Sequence, residues 1–262
     1  MSSSIKNKEI LITKSKQESE RSVRFLIDAG AKVIYFPTIK IIPIINSTEL
    51  ISILNNFDNF DYIIFTSVNS VDIFNKFTVQ NNLNMSKLNV AVVGRSTFEF
   101  CETLGISVNI LPDEFSAKGL LSKLSLVNLS GKNILIPCSS LSRDELRIRL
   151  TELGANVKSV PIYDVVINNV EELHEEINSL KNRKPDVFLF TSPSSFENFL
   201  SIAGVEQLSD YFGGSVIAAI GTTTENAIRK FNLTVNIVPQ IFTIKEASEA
   251  IIRYFSITAN LA

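Results

Sequence analysis

The chain has 262 residues, 45% hydrophobic and 20% charged, with a formal net charge of −2. That balance belongs to an ordinary globular protein of one large or two small domains, and it excludes nucleic-acid or anionic-membrane binding driven by bulk charge. No apolar run approaches the roughly 20 residues of a membrane-spanning helix, and the opening MSSSIKNKEILIT has a four-residue apolar run that feeds a strand, so it reads as no signal peptide.

From Ile10 the chain gives a short apolar strand, ILIT, then a polar segment and a helix. Val23, Leu26 and Ile27 recur there at helical spacing, and Gly30 supplies a left-handed stop. The strand KVIYF leads to PTIKIIP (37–43), whose prolines and β-branched run predict an extended linker. There follow a helix over 47–57, the strand YIIF, a helix after Ser67, the strand VAVV, a helix beginning near Thr97, the strand SVNIL and a last helix. The second half repeats the order. ILIP precedes a helix carrying Leu146, Leu150 and Leu153 that ends at Gly154, then come NVKSV and the extended PIYDVVI (161–167). A helix over 170–181, VFLF, a helix after Ser192, VIAAI, a helix near Thr224, TVNIV and a last helix complete it. Short all-apolar strands alternating with helices predict parallel sheets covered on both faces.

The repetition is explicit in the residues. ILITKSKQESERSVRFLIDAGAKVIYFP (10–37) matches ILIPCSSLSRDELRIRLTELGANVKSVP (134–161), Gly30 falling on Gly154 and Pro37 on Pro161, 124 residues on. FDYIIFTSVNSVDIF matches PDVFLFTSPSSFENF 125 residues on, and VVGRSTFEFCETLGISVNILPDEFS matches AIGTTTENAIRKFNLTVNIVPQIFT 127 residues on. A period this long predicts two similar domains rather than a solenoid, with a ligand cleft between them.

Polar residues gather where apolar strands give way to helices. These are the FTS turns (Thr66-Ser67 and Thr191-Ser192, with Ser194 just beyond), the G-x-x-T turns (Gly94 to Thr97 and Gly221 to Thr224) and Ser139-Ser140. In open α/β sheets that edge binds ligands. Hydroxyls there cap helices, and exposed first-turn N–H groups favour carboxylate or phosphate; a plain capping role explains each one equally well. There is no Walker loop and no GxGxxG. The single histidine, His174, lies in the acidic EELHEEI and reads as a surface residue, so a His-based metal site or Ser–His triad has little support. Cys101 and Cys138 match no metal-ligand spacing and no CxxC motif, which suits a reducing, cytoplasmic setting. Arg143, in CSSLSRDEL, opens a helix near the sheet edge and could hold a carboxylate bidentately. Tyr163, in PIYDV, stands where the first copy has Ile39, so the repeat does not require it. Arg95 and Lys118 are weaker anion candidates.

The ordered set of FTS turn, VG-x-x-T turn, PCSSLSR block, VPIYD linker, second FTS turn and IG-x-x-T turn resembles the uroporphyrinogen-III synthase family, from about Ile10 to Ile252. The resemblance implies an enzyme that closes linear hydroxymethylbilane to uroporphyrinogen III, losing water and inverting ring D through a spiro intermediate, with no metal or organic cofactor. It implies a cytoplasmic monomer. The implied layout is an α/β protein of two similar doubly wound parallel-sheet domains with a cleft between them. Residues 1–36 with 168–262 would form one domain and 44–160 the other, joined by linker strands 37–43 and 161–167. Tyr163 is the implied catalytic residue. Thr66, Ser67, Thr97, Arg143, Thr191, Ser192 and Thr224 match the family's motif residues and are the implied substrate contacts, and Gly94, Ser139, Ser140, Ser194 and Gly221 join them as candidates from their places at the strand-to-helix turns. The chain departs from the family pattern at Asn69, where a basic residue is frequent, at Thr222, where proline commonly follows the glycine, and at Ser139, which replaces a frequent glycine. A rival reading is a non-catalytic two-domain binder of a small polyanion, since fold alone does not fix function.

Overall fold

The structure is a computed structural model, and it describes residues 5–44 and 47–259. Nine strands occur among them: β1 (Glu9–Ile12), β2 (Lys32–Tyr35), β3 (Ile39–Pro43), β4 (Tyr62–Phe65), β5 (Asn89–Val92), β6 (Asn133–Ser139), β7 (Asn156–Ile167), β8 (Val187–Phe190) and β9 (Val216–Ala219). They form a four-stranded sheet of order β2-β1-β8-β9 and a five-stranded sheet of order β3-β7-β6-β4-β5. The ladders β1–β2, β1–β8, β8–β9, β4–β5, β4–β6 and β6–β7 are all parallel. The chain divides into two compact units, Met1–Lys40 with Ile167–Ala262 and Ile41–Val166.

The two sheets are copies of one another. Shifted by the repeat offsets, β2-β1-β8-β9 becomes β7-β6-β4-β5. The first unit thus takes its β1 and β2 from the first copy of the sequence and its β8 and β9 from the second. Polar clamps repeat with it. Asp61 accepts from Lys132 Nζ at 2.8 Å and from the Asn133 amide at 2.9 Å, while Asp186 accepts from Lys8 Nζ at 2.7 Å and the Glu9 amide at 2.8 Å. Each carboxylate joins two neighbouring strands at their amino ends.

Strand alternation sorts the apolar residues to two faces. In β8, Phe188 and Phe190 enter one core while Val187 and Leu189 enter another. In β4, Ile63 and Phe65 face one core and Tyr62 and Ile64 the other. Helices cover both faces of each sheet, the doubly wound arrangement. The core around Phe188 is aromatic: Phe199 lies 5.0 Å from Phe36, 5.6 Å from Phe188 and 5.7 Å from Phe190, ring centre to ring centre.

Four local expectations are corrected. The first-copy helix is two pieces, Lys16–Ser19 and Arg24–Asp28, because Val23 adopts φ −95°, ψ 3° between them. SVNIL and TVNIV form no regular strand. Each touches its sheet by a single bridge, Ala91 with Ile110 and Ala218 with Ile237, and an asparagine side chain takes the neighbouring strand's amide: Asn109 accepts from Val90 and Asn236 from Ile217, both at 2.8 Å. NVKSV and the following extended piece are one strand, β7, running through Pro161. The helix expected from 170 begins at His174. Gly30 and Gly154 do occupy the left-handed region, at φ +90° and +88°, as helix stops there require.

Candidate functional site

The carboxyl edge of the five-stranded sheet carries the densest group of candidate residues. Ser67 follows β4 in extended conformation and caps the helix Val68–Gln80. The Ser70 amide donates to Ser67 Oγ at 3.1 Å, and the Ser67 amide donates to Ser70 Oγ at 3.3 Å. This reciprocal box fixes the Ser67 hydroxyl, which lies 3.0 Å from Tyr163 Oη. Tyr163 is 5% exposed, its ring in the core that holds Ile63 and Phe65.

A bulge puts it there. Cys138 pairs with Pro161, but Ser139 pairs with Tyr163, leaving Ile162 without a partner in β6. The extra residue resets the alternation, so Ile162 and Tyr163 both enter the same core. The Tyr163 carbonyl then accepts the Ser140 amide at 3.0 Å, and the Ser140 hydroxyl donates to Asp164.

Beside this pair, on the other face of the sheet, lies a cavity of about 550 Å³. Thr66, Ser139, Ser140 and Arg143 line it together with apolar Val93, Ile136 and Pro161. Ser139 Oγ and Ser142 Oγ are 3.2 Å apart. Arg147 grips Asp144 with two bonds of 3.0 Å and holds its carboxylate below the usual range. Arg143, exposed, makes no ion pair among the described residues. It precedes the helix Glu145–Glu152, whose N-cap is Asp144, instead of opening it. Burial pushes the Cys138 thiol up, against hydrogen bonds with Ser142 and the Val160 backbone, so it lines the cavity as a neutral thiol.

The G-x-x-T turns differ from the expected caps. Gly94 and Gly221 are themselves the N-caps of the helices Arg95–Thr103 and Thr222–Arg229, and neither offers a side-chain acceptor. The first-turn amides are therefore left for solvent or an anion. Thr97 and Thr224 sit one turn in, 2% and 3% exposed. A Cβ on Gly94 would lie 3.6 Å from Thr97 Oγ1, so the threonine faces the cap. Gly221 lies under the Phe242 ring, where a Cβ would come within 2.9 Å.

In the other unit, Ser192 caps the helix Pro193–Ala203 through the same kind of box, with Ser195, and Ser194 Oγ is 3.1 Å from Ser192 Oγ. The Thr191 amide donates to Thr13 Oγ1 at 3.2 Å, and Thr13 donates to Ser195 Oγ at 3.0 Å. Thr13 and Ser195 are buried and were not singled out from sequence; the only signal was a threonine closing the apolar run ILIT. Arg95 is occupied by Glu99 at 3.1 Å, and exposed His174 meets only the Glu171 carbonyl, at 3.0 Å.

Comparison with known proteins identifies the family. The family described as uroporphyrinogen-III synthase HemD matches residues 20–249. The uroporphyrinogen-III synthase of Chlorobaculum parvum is 31% identical over 239 residues, covering 90% of this chain and 94% of that protein. Two solved structures share the fold. The uroporphyrinogen-III synthetase of Helicobacter pylori has a TM-score of 0.62 at 17% identity, covering 94% of this chain and 99% of the other. A mutant uroporphyrinogen III synthase of Thermus thermophilus has 0.58 at 14%, covering 95% and 98%. With the family match spanning most of its length, this chain belongs to the uroporphyrinogen-III synthase family, lyases that act on a small-molecule tetrapyrrole.

Proposed function

We propose that the chain converts linear hydroxymethylbilane to uroporphyrinogen III, with Tyr163 as the catalytic residue. The observation that carries this reading is the buried Tyr163–Ser67 pair, 3.0 Å between oxygens, at the sheet edge. Ser67 Oγ already accepts the Ser70 amide. It can donate its own proton to Tyr163 Oη, which leaves the phenol proton free for the substrate. As the terminal C–O bond breaks, that proton goes to the departing hydroxyl, which leaves as water. The pyrrole nitrogen gives its proton to the phenolate, restoring the phenol, and the resulting azafulvene is attacked by the substituted carbon of ring D to form the spiro intermediate. The bond from that carbon to the ring C bridge then breaks, and the bridge rejoins ring D at its free α-carbon, whose proton passes to the ring nitrogen.

The bilane carries eight carboxylates. Their partners in this reading are the hydroxyls of Thr66, Ser139, Thr191, Ser192 and Ser194, the Arg143 guanidinium and the first-turn amides behind Gly94 and Gly221, with Ser140 holding the turn through Asp164. Thr97 and Thr224, being buried, shape those helix ends. Holding the chain folded against simple closure is an orientation effect, which can be large. Both cysteines are free, buried thiols, which fits a cytoplasmic protein, and we take it to act as a monomer. The test supplies hydroxymethylbilane and separates isomers I and III. Enzymatic isomer III is expected; isomer I alone, at the spontaneous rate, would overturn the reading in favour of a non-catalytic binder.

A further inference from the structure

The bulge that turns Tyr163 toward Ser67 is one of two registers open to β7. Val160 and Ile162 enter the core that holds Ile63 and Phe65, and so do Tyr163 and, in part, Val165. The side-chain alternation therefore resets between Ile162 and Tyr163. Had the pairing of Cys138 with Pro161 continued in step, Ser139 would face Ile162 and Ser140 would face Tyr163. Asp164, not Tyr163, would then point into that core.

Residue 164 opposes this alternative in two ways. In the bulged register its carboxylate lies on the other face and accepts the Ser140 hydroxyl, while the Ser140 amide donates to the Tyr163 carbonyl at 3.0 Å. Ser140 thus ties both residues that follow the bulge. In the regular register the carboxylate would enter a core of Ile63, Phe65 and Phe74, where an unpaired charge is costly. Ile162, left out of the β6 ladder, gives its carbonyl to the Ile44 amide at 2.8 Å, so the bulge leaves that oxygen satisfied.

The other copy carries none of this. At the repeat offset of 124, Ser140 becomes Lys16, Tyr163 becomes Ile39 and Asp164 becomes Lys40. Lys16 pairs with Glu20 and Lys40 with Glu172. The β1–β2 ladder ends at Ile12 with Tyr35, short of the bulge position.

We propose that Asp164 is a positioning residue. Through Ser140 it holds β7 in the register that brings Tyr163 Oη to Ser67, and so it places the proton donor for the departing hydroxyl. The inference rests on the catalytic reading of Tyr163 above and adds the residue that aims the phenol.

Full-length Asp164→Leu, Asp164→Ala, Asp164→Asn and Ser140→Ala test it. Turnover of hydroxymethylbilane is measured on unlabelled protein, and fluorine NMR on protein labelled with 3-fluorotyrosine. The chain has five tyrosines, and Tyr163→Phe identifies the Tyr163 resonance. Asp164→Leu makes the regular register acceptable to the core. It and Asp164→Ala are expected to move the Tyr163 resonance toward its position in urea, with the other tyrosines in place. They should also lower kcat by about tenfold or more at nearly constant KM, as a misplaced group does. Ser140→Ala, at an exposed position that leaves the fold intact, should move the same resonance. Asp164→Asn keeps an acceptor for Ser140 and should restore most of the lost kcat. An unmoved Tyr163 resonance in Asp164→Leu, Asp164→Ala and Ser140→Ala would overturn the positioning role. So would a raised KM at constant kcat, or equal losses in Asp164→Asn and Asp164→Ala, which mark a charge acting on the substrate. A moved resonance with undiminished isomer III would keep the positioning role and remove Tyr163 from the reaction. Isomer I alone from wild type would overturn the functional reading, and the resonance would still decide the positioning.

Discussion

Tyr163→Phe separates chemistry from packing better than any other single change. It deletes one oxygen and keeps the ring, which stays in the core with Ile63 and Phe65. The lost partner is Ser67 Oγ at 3.0 Å. Ser67 does not become an orphan, because its oxygen still accepts the Ser70 amide at 3.1 Å. The stability cost is then that of one net hydrogen bond, about 0.5–1.5 kcal/mol. For a chain of this length that lowers the melting temperature by about 1–6 °C, too little to unfold it at assay temperature. Loss of a proton donor in the rate-limiting step costs about 10²–10⁴ in rate, or about 3–5 kcal/mol.

The two effects differ enough to be read apart. Hydroxymethylbilane is supplied, the reaction is quenched at intervals, and isomers I and III are separated after oxidation. Isomer I from spontaneous closure serves as an internal clock. The variant should form isomer III at least a hundredfold more slowly, with isomer I taking its place, while its far-ultraviolet spectrum is unchanged. Ser67→Ala should show a smaller rate loss and a cost of about 1 kcal/mol from the lost cap. Undiminished isomer III turnover by Tyr163→Phe would remove the phenol from the mechanism and refute the reasoning.

Other outcomes follow from the packing. Phe199→Ala should destabilise by about 3–5 kcal/mol, since Phe199 is fully buried among Phe36, Phe188 and Phe190; a denaturant titration showing less than 1 kcal/mol would contradict that core. Gly119→Ala should be the most damaging glycine change, because its Cβ would lie 2.1 Å from the Glu114 carbonyl oxygen, whereas Gly204→Ala, with open space at φ +63°, should lose only the left-handed penalty of about 1–2 kcal/mol. Asp61 is held below its ordinary value by the Lys132 hydrogen bond and the Asn133 amide. A depressed carboxylate stabilises above its unfolded value, about 4, and loses that contribution as pH falls through the folded one. Wild type should therefore lose melting temperature more steeply than Asp61→Asn below about pH 4, and parallel curves would deny the clamp its role.

The strands and their two faces were legible because short apolar runs between turn signals leave few alternatives. Ser67 and Ser192 were legible as caps for the same reason: a serine after an apolar strand and before a helix has one obvious amide to take. Pairing between copies was not legible in the residue pattern and came only from the family resemblance. ILIT and ILIP suit either set of neighbours equally, and the hydrogen-bonded order β2-β1-β8-β9 assigns them. The bulge at Ile162 was also hidden, since an extended run with proline looks the same with or without an unpaired residue. Without it Tyr163 would point to the opposite face, away from Ser67. Thr97 and Thr224 looked like caps because glycine preceded them; the glycine is the cap, and the threonines are buried a turn later.

A duplicated fold supplies its own control. Where the copies agree, as in the Asp61 and Asp186 clamps and the Asn109 and Asn236 amide acceptors, the sheet demands the residue in both places. Where they disagree, the fold has been content with either, and another constraint has chosen. The copies differ at many positions, and three of these differences bear on the candidate site. Tyr35 and Ser159 lie on β2 and β7, Glu18 and Ser142 follow β1 and β6, and Ile39 and Tyr163 lie on β3 and β7. In one unit they close the edge with an aromatic ring and an internal carboxylate. In the other they open about 550 Å³ beside a buried phenol. A merely structural duplication would have had no reason to empty one copy and arm it. The proposed role of Tyr163 in the unit Ile41–Val166 predicts that loss of isomer III formation will follow substitutions at Tyr163 and Ser67 more than at Thr191 and Ser192. Equal losses in both sets would show that the edges share the work, and the argument from asymmetry would fail.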